Sequence, residues 1–170
     1  MKKVLIVIAN NGFQDYEFGV PFDMLTHAGI SVSIAAGKTG ECIGVFGSKT
    51  VADIELEKVK GENYDMIIFI GGGGAYAQYF GNKEYLRIAK EAKKLGAICI
   101  TPMILSASGV FNGKTVTSRD QNGVQKKFIQ NNGGFWVDKN VVVSGNIITA
   151  NGPESAKEFA EKCLEMIRNS

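Results

Sequence analysis

Cys99 stands where a short apolar run, Gly96-Ala97-Ile98, stops and the segment Ile100-Thr101-Pro102-Met103-Ile104-Leu105-Ser106 begins. The run is too short for a helix and reads as a strand. The segment after Cys99 reads as the first turn of a helix, with Thr101 a candidate cap and Pro102 tolerated at the first helical position. Strand, sharp turn and helix make the geometry of a nucleophile elbow. A thiol held there lies at the sheet edge beside unpaired helix N–H groups and the positive end of the helix dipole, and both favour thiolate over thiol. The chemistry open to it is nucleophilic addition by sulfur. The alternative is a buried, inert cysteine at a strand end, and Cys99 alone does not decide between them.

Two more features lie just past the ends of other apolar runs. Glu17 comes after the first run, residues 4–9, and Gly71-Gly72-Gly73-Gly74 comes after the run that ends at Ile70. In open α/β sheets ligands bind outside the carboxyl ends of the strands, and right-handed crossovers place those ends on one edge. Glu17, the glycines and Cys99 are therefore expected to converge. A glutamate beside a cysteine can carry a proton, and burial would raise its pKa toward the useful range. Bare glycine amides can approach a substrate closely, as an oxyanion hole requires. Taken singly, Glu17 also fits a first-turn acid favoured by the helix dipole, and the glycines also fit a tight turn.

Two look-alikes fail on spacing. Gly109-Val110-Phe111-Asn112-Gly113-Lys114-Thr115 is one residue short of a P-loop and leads into a strand, and the glycine run lacks the spacing of a dinucleotide fingerprint. No nicotinamide cofactor, other cofactor or metal is expected. His27, the only histidine, sits at the far end of the first helix beside Gly29, where it caps carbonyls rather than serving Cys99.

The elements that must position these residues alternate. Strands are expected over 4–9, 30–36, 64–70 and up to Cys99, with helices over 15–27, 82–95 and from 101 to Gly109. Asp15 is the expected cap of the first helix, and Pro21 implies an irregular or late start to it. The four glycines between 37 and 48 suggest a small hairpin apart from the main sheet, and 53–60 reads as one exposed turn or a loop. Thr115-Val116-Thr117, Phe135-Trp136-Val137, Val141-Val142-Val143 and Ile147-Ile148-Thr149 read as short strands. Asp120 should cap a helix to Asn131, and Gly152-Pro153 should open the last helix, which runs to Arg168. The pattern is α/β with a mainly parallel sheet in one domain over 1–170.

A net charge of +2 with acids and bases interspersed gives no basic stripe, so neither nucleic acid nor an anionic membrane is expected as partner. The N-terminal apolar run is brief and lacks a convincing cleavage site, and no stretch is long enough to span a bilayer; a cytoplasmic protein is the expectation. The three cysteines, Cys42, Cys99 and Cys163, lack zinc-site spacing, and Cys163 falls on the apolar face of the last helix with Phe159, Met166 and Ile167.

With these residues in place, the sequence resembles the DJ-1/PfpI superfamily over nearly its whole length. The marks are Gly12-Phe13-Gln14-Asp15-Tyr16-Glu17, Tyr64-Asp65 leading to Gly72-Gly73, Ala97-Ile98-Cys99 with Pro102, Gly113-Lys114 with Val116-Thr117, and Ile148-Thr149 with Gly152-Pro153. The resemblance implies a flavodoxin-like three-layer sandwich, a homodimer, Cys99 as nucleophile hydrogen-bonded by Glu17, and an oxyanion hole made by the backbone N–H groups of Gly73 and Ile100. Three positions depart from the family pattern. Ile100 comes directly after the nucleophile, where protease-like members carry histidine, which speaks against peptidase activity. Arg119 stands where histidine or tyrosine is common near the cysteine, and Asn151 where arginine commonly precedes the Gly-Pro pair.

Arg119 is expected to point toward the Cys99 pocket and hold an anionic group such as that of an α-keto acid, with Gly72 a second candidate substrate contact; an ordinary surface arginine is the alternative. Three functions fit these residues. The first is a cofactor-independent cysteine enzyme acting on a small reactive carbonyl, glyoxalase- or deglycase-like, with Glu17 moving the proton. The second is a redox-sensing or chaperone-like stress protein that uses oxidation of Cys99. The third is an intracellular cysteine peptidase, which would need His27 supplied by a partner subunit.

Overall fold

A computed structural model describes residues Met1–Ser170. In chain order the elements are β1 (Lys3–Val7), β2 (Asn11–Phe13), α1 (Asp15–His27), β3 (Ser31–Ala36), β4 (Gly40–Gly44), β5 (Lys49–Ala52) and β6 (Ile54–Glu55). They continue as β7 (Met66–Phe69), α2 (Gly73–Tyr79), α3 (Lys83–Glu91), β8 (Leu95–Ile98), α4 (Thr101–Ser106) and β9 (Thr115–Val116). The last are α5 (Val124–Asn131), β10 (Phe135–Trp136), β11 (Val141–Ser144), β12 (Ile147–Ala150) and α6 (Ala156–Arg168).

The main sheet has the order β11-β12-β8-β7-β1-β3-β6 and is parallel except for β11 at its edge. The apolar run of β1 and the two residues after it, residues 4–9, serves both faces of the sheet. Val4, Ile6 and Ile8 belong to one core with Phe18 and Leu25 of α1 and Phe159, Cys163 and Ile167 of α6. Leu5 and Val7 belong to the other, with Tyr79, Tyr85, Ile88, Met103, Leu105 and Ile129 from α2 to α5. A two-residue period splits one strand between two cores, which is what a sheet covered on both faces demands. The result is the flavodoxin-like three-layer sandwich, and each fully buried large apolar side chain stabilises it by about 1.5–3 kcal/mol.

Hairpin β4–β5 stands apart from the main sheet, as its glycines imply, and pairs with β2 in a small sheet of its own. Several boundaries differ from expectation for physical reasons. The cap of α1 is Gln14, whose Oε1 accepts from Tyr16 N at 2.7 Å and Glu17 N at 2.9 Å. Asp15 instead uses its carboxylate on Phe46 N and Ser48 N, tying the hairpin turn to the helix. Pro21 lies inside a helix that starts on time, and its missing N–H leaves the Glu17 carbonyl without a helical donor.

Residues 53–60 are not merely exposed: Ile54 and Glu55 pair in parallel with β3, and Leu56 is buried. Helix α3 is capped by Asn82 but ends at Glu91, since Leu95 is needed in β8; it buries Tyr85, Ile88 and Ala89, with Leu86 and the following Ala92 packed partly buried against the same core. α4 ends at Ser106, short of Gly109. Asp120 accepts from Gly123 N and Lys126 N, but the helix cap is Gly123 and α5 begins at Val124. A short 3-10 turn, Pro153–Ser155, precedes α6. No helix is long and apolar enough to cross a membrane.

Candidate active site

Cys99 has φ +67°, a left-handed conformation rare outside glycine, and surrounding bonds hold it there. Its N–H donates to Ala150 O and its C=O accepts from Arg119 N, each at 2.9 Å, so β12 and the segment after β9 grip the elbow from both sides. Thr101 works from below: its hydroxyl oxygen accepts from Ile98 N at 2.9 Å and lies within reach of the carbonyls of Ile98 and Phe69, at 2.9 and 3.2 Å. Thr101 therefore clips the strands together inside α4, and the cap position belongs to Ile100.

The expected convergence is present. Glu17 is fully buried; its Oε1 accepts from Gly71 N at 2.9 Å, its Oε2 has no hydrogen-bond partner of its own, and the carboxyl lies beside the Cys99 thiol and interacts with it. The glycine run is what allows this approach. A Cβ on Gly71 would lie 2.6 Å from Glu17 Oε1 and 2.7 Å from Cys99 Cβ; one on Gly72, at φ +109°, would meet Gly12 O, and one on Gly74 would meet Asn11 O. Only Gly73 faces open space. Sequence spacing could not separate these roles, because the atoms that exclude a side chain come from β2, α1 and the elbow.

Electrostatics couple the pair. Burial pushes Glu17 up to about 7 against the Gly71 N–H and the Cys99 bond that favour its carboxylate; the Glu154 charge raises it further and Arg119 lowers it. Burial also pushes the Cys99 thiol up, to about 12, with the Glu17 charge and hydrogen bond acting the same way and Arg119 and the Ile100 N–H opposing. The expected thiolate bias of the elbow is thus overturned whenever Glu17 is ionised. The physical reason is local: α4 has six residues and Pro102 removes one of its first-turn amides, so its end is a weak source of positive potential. The pair loses one proton near neutrality and resists losing the second, and a thiolate forms when Glu17 holds the proton.

Around the thiol a cavity of about 440 Å³ opens, lined among others by Gln14, Phe46, Gly73, Ile100 and Arg119. The Ile100 N–H faces the sulfur, and the Gly73 N–H is the first amide of α2, with no carbonyl one turn earlier in its helix. Arg119 is exposed at the cavity wall and joins no ion pair, so its charge is available there. Gly72 also lines the cavity. Gln14 joins the wall with no signal in the sequence to mark it; its Oε1 is committed to capping α1, which leaves its amide N–H groups for the cavity.

His27 is elsewhere, with Nδ1 2.7 Å from Asp23 O at the far end of α1, about 15 Å along the helix from Glu17. Asn151 serves a local turn, accepting from the Ser155 hydroxyl at 2.7 Å. Cys163 is fully buried in the core, and residues 109–113 form a turn that leads into β9.

The DJ-1/PfpI family model matches residues 2–166. Protein dj-1beta of Drosophila melanogaster is 33% identical over 97% of this chain and 89% of its own length. A Pyrococcus horikoshii protein named a deglycase is 31% identical over 98% of this chain and 99% of its own. The crystal structure of a ThiJ/PfpI domain protein from Brachyspira murdochii superposes with a TM-score of 0.92 at 25% identity, covering 99% of this chain and 97% of that one.

Proposed function

The chain belongs to the DJ-1/PfpI family, and from that premise we propose that it is a cofactor-independent cysteine enzyme that converts 2-oxoaldehydes, or their adducts, to 2-hydroxy acids. The observation that carries this reading is the buried Glu17–Cys99 contact, with Glu17 poised at about 7, at a cavity lined by Gly73 and Ile100.

The steps balance without an outside oxidant. The Cys99 proton passes to Glu17 as sulfur bonds to the aldehyde carbon, and the oxygen that takes up the charge is held by the Gly73 and Ile100 N–H groups. Glu17 returns the proton to that oxygen, giving a hemithioacetal. The carboxylate then removes hydrogen from the former aldehyde carbon as a proton and passes it to the neighbouring carbonyl oxygen, giving an enediol; a proton is then taken from the hydroxyl on the former aldehyde carbon and delivered to the neighbouring carbon. That leaves a thioester of the hydroxy acid. Water attacks the thioester carbon, sulfur departs and recovers a proton, and the hydroxy acid is released. Arg119 and Gly72 are assigned to the substrate's second oxygen, and Arg119 would also hold a carboxylate. Ile100 in place of histidine removes the base a peptidase would use.

The test is to incubate the protein with methylglyoxal, with no added cofactor, and assay lactate. Lactate is expected in proportion to protein, and Cys99→Ser is expected to lower the rate by about 10³-fold or more. Consumption unchanged by Cys99→Ser would overturn the proposal; an alkylatable Cys99 without turnover would favour the redox-sensing role instead.

A further inference from the structure

Next to the Cys99 cavity lies a groove that the proposed reaction leaves unused. Helix α2 and its end supply Tyr76 and Phe80, stacked at 5.1 Å; α5 supplies Val124 and Phe128, the latter 5.6 Å from Phe80; Met103 of α4 lies at the same groove. Its volume is about 310 Å³, at the lower end of small-molecule sites. Tyr76, Phe80 and Val124 are 47, 46 and 61% exposed, an unusual concentration of apolar surface for one short stretch of wall. Gln125 is the only polar residue along it, and its Oε1 already accepts from Gln121 N at 2.7 Å.

The groove is continuous with the cavity, since Tyr76, Ile100 and Gln125 line both. Ile100 carries the connection: its N–H faces the Cys99 sulfur while the residue also lines the groove. A substituent on the 2-oxo carbon, next to the aldehyde carbon that bonds to sulfur, is thus one residue away from aromatic walls, whereas Arg119 lines the cavity but not the groove.

We infer that this groove is a side-chain subsite for an aryl group attached to the 2-oxo carbon, so that the site selects 2-oxo acids and 2-oxoaldehydes bearing a phenyl-sized group over those bearing methyl. The assignment rests on the reading of the Cys99 cavity as a carbonyl site. Offset and edge-on aromatic packing against Phe80, Phe128 and Tyr76 supplies the selectivity, and Arg119 holds the carboxylate of an acid ligand.

The test reads binding without turnover. Full-length Cys99→Ser protein is titrated calorimetrically with phenylglyoxylate and with pyruvate. Phenylglyoxylate is expected to bind at least about tenfold more tightly, because the ring is removed from water. Val124→Glu, at an exposed position that the fold tolerates, and Phe128→Ala, each made in that protein, are expected to reduce the ratio to about threefold or less. Equal affinities in the parent, no measurable binding of either ligand, or a ratio that survives both substitutions would overturn the subsite. A ratio that behaves as expected in Cys99→Ser, when the wild-type protein makes no lactate from methylglyoxal, would overturn the proposed reaction and leave the subsite standing.

Discussion

Glu17→Gln is expected to make the protein less active and more stable at once. On the activity side, removal of a positioned acid–base group lowers turnover by about 10²–10⁴-fold. On the stability side the sign comes from the raised pKa. Glu17 titrates near 4.5 when unfolded and about 7 when folded, so above pH 4.5 the unfolded chain releases the proton first and is favoured. The cost to the fold grows as pH rises through that window and is fully present above pH 7, at about 3 kcal/mol. Glutamine keeps the acceptor for Gly71 N but carries no charge. In urea melts the variant is expected to exceed wild type by about 1–3 kcal/mol at pH 8, with the gain fading toward pH 4.5. A variant less stable than wild type at pH 8 would mean that the buried carboxylate is compensated.

The second large effect separates glycines that share one run. Gly74→Ala is expected to destabilise by more than about 3 kcal/mol, because its Cβ would clash with the Asn11 carbonyl oxygen and β2 cannot retreat without breaking its pairing with β4. Gly73→Ala should stay within about 1 kcal/mol of wild type, since its Cβ enters open space and alanine favours the first turn of α2. Thermal denaturation of both variants checks the contrast; equal losses would show that the run is a simple tight turn.

Much of this architecture is legible in the residues. The apolar runs that end at Ala9, Ile70 and Cys99 mark three strands covered on both faces, and the rule that sites gather at strand ends brings Glu17, the glycines and Cys99 together from the sequence alone. What escapes is whatever depends on a distant partner. Helix α2 is hidden because its first residues are glycines, poor helix formers that read as a turn, and tertiary contacts with β2 and α4 override the propensity. Asp15 looks like the cap because the competing claim on it, the amides of Phe46 and Ser48, lies on a hairpin thirty residues later. Leu56 looks exposed in a polar stretch until β6 seats it at the sheet edge. The ionisation of Cys99 could not be read from the elbow motif, since burial and the Glu17 charge outweigh the end of a six-residue helix.

In the proposed reaction Glu17 activates Cys99 by taking its proton. The most direct test is the pH dependence of Cys99 alkylation by iodoacetamide in wild type and in Glu17→Gln. In wild type the rate should rise with a midpoint near 7, where Glu17 ionises and becomes able to take the thiol proton as sulfur attacks. In the variant no carboxyl accepts the proton and burial still opposes the thiolate, so the midpoint should move above the ordinary thiol value of 9.0. Coincident profiles, or a Cys99 inert at every pH in both proteins, would contradict the account.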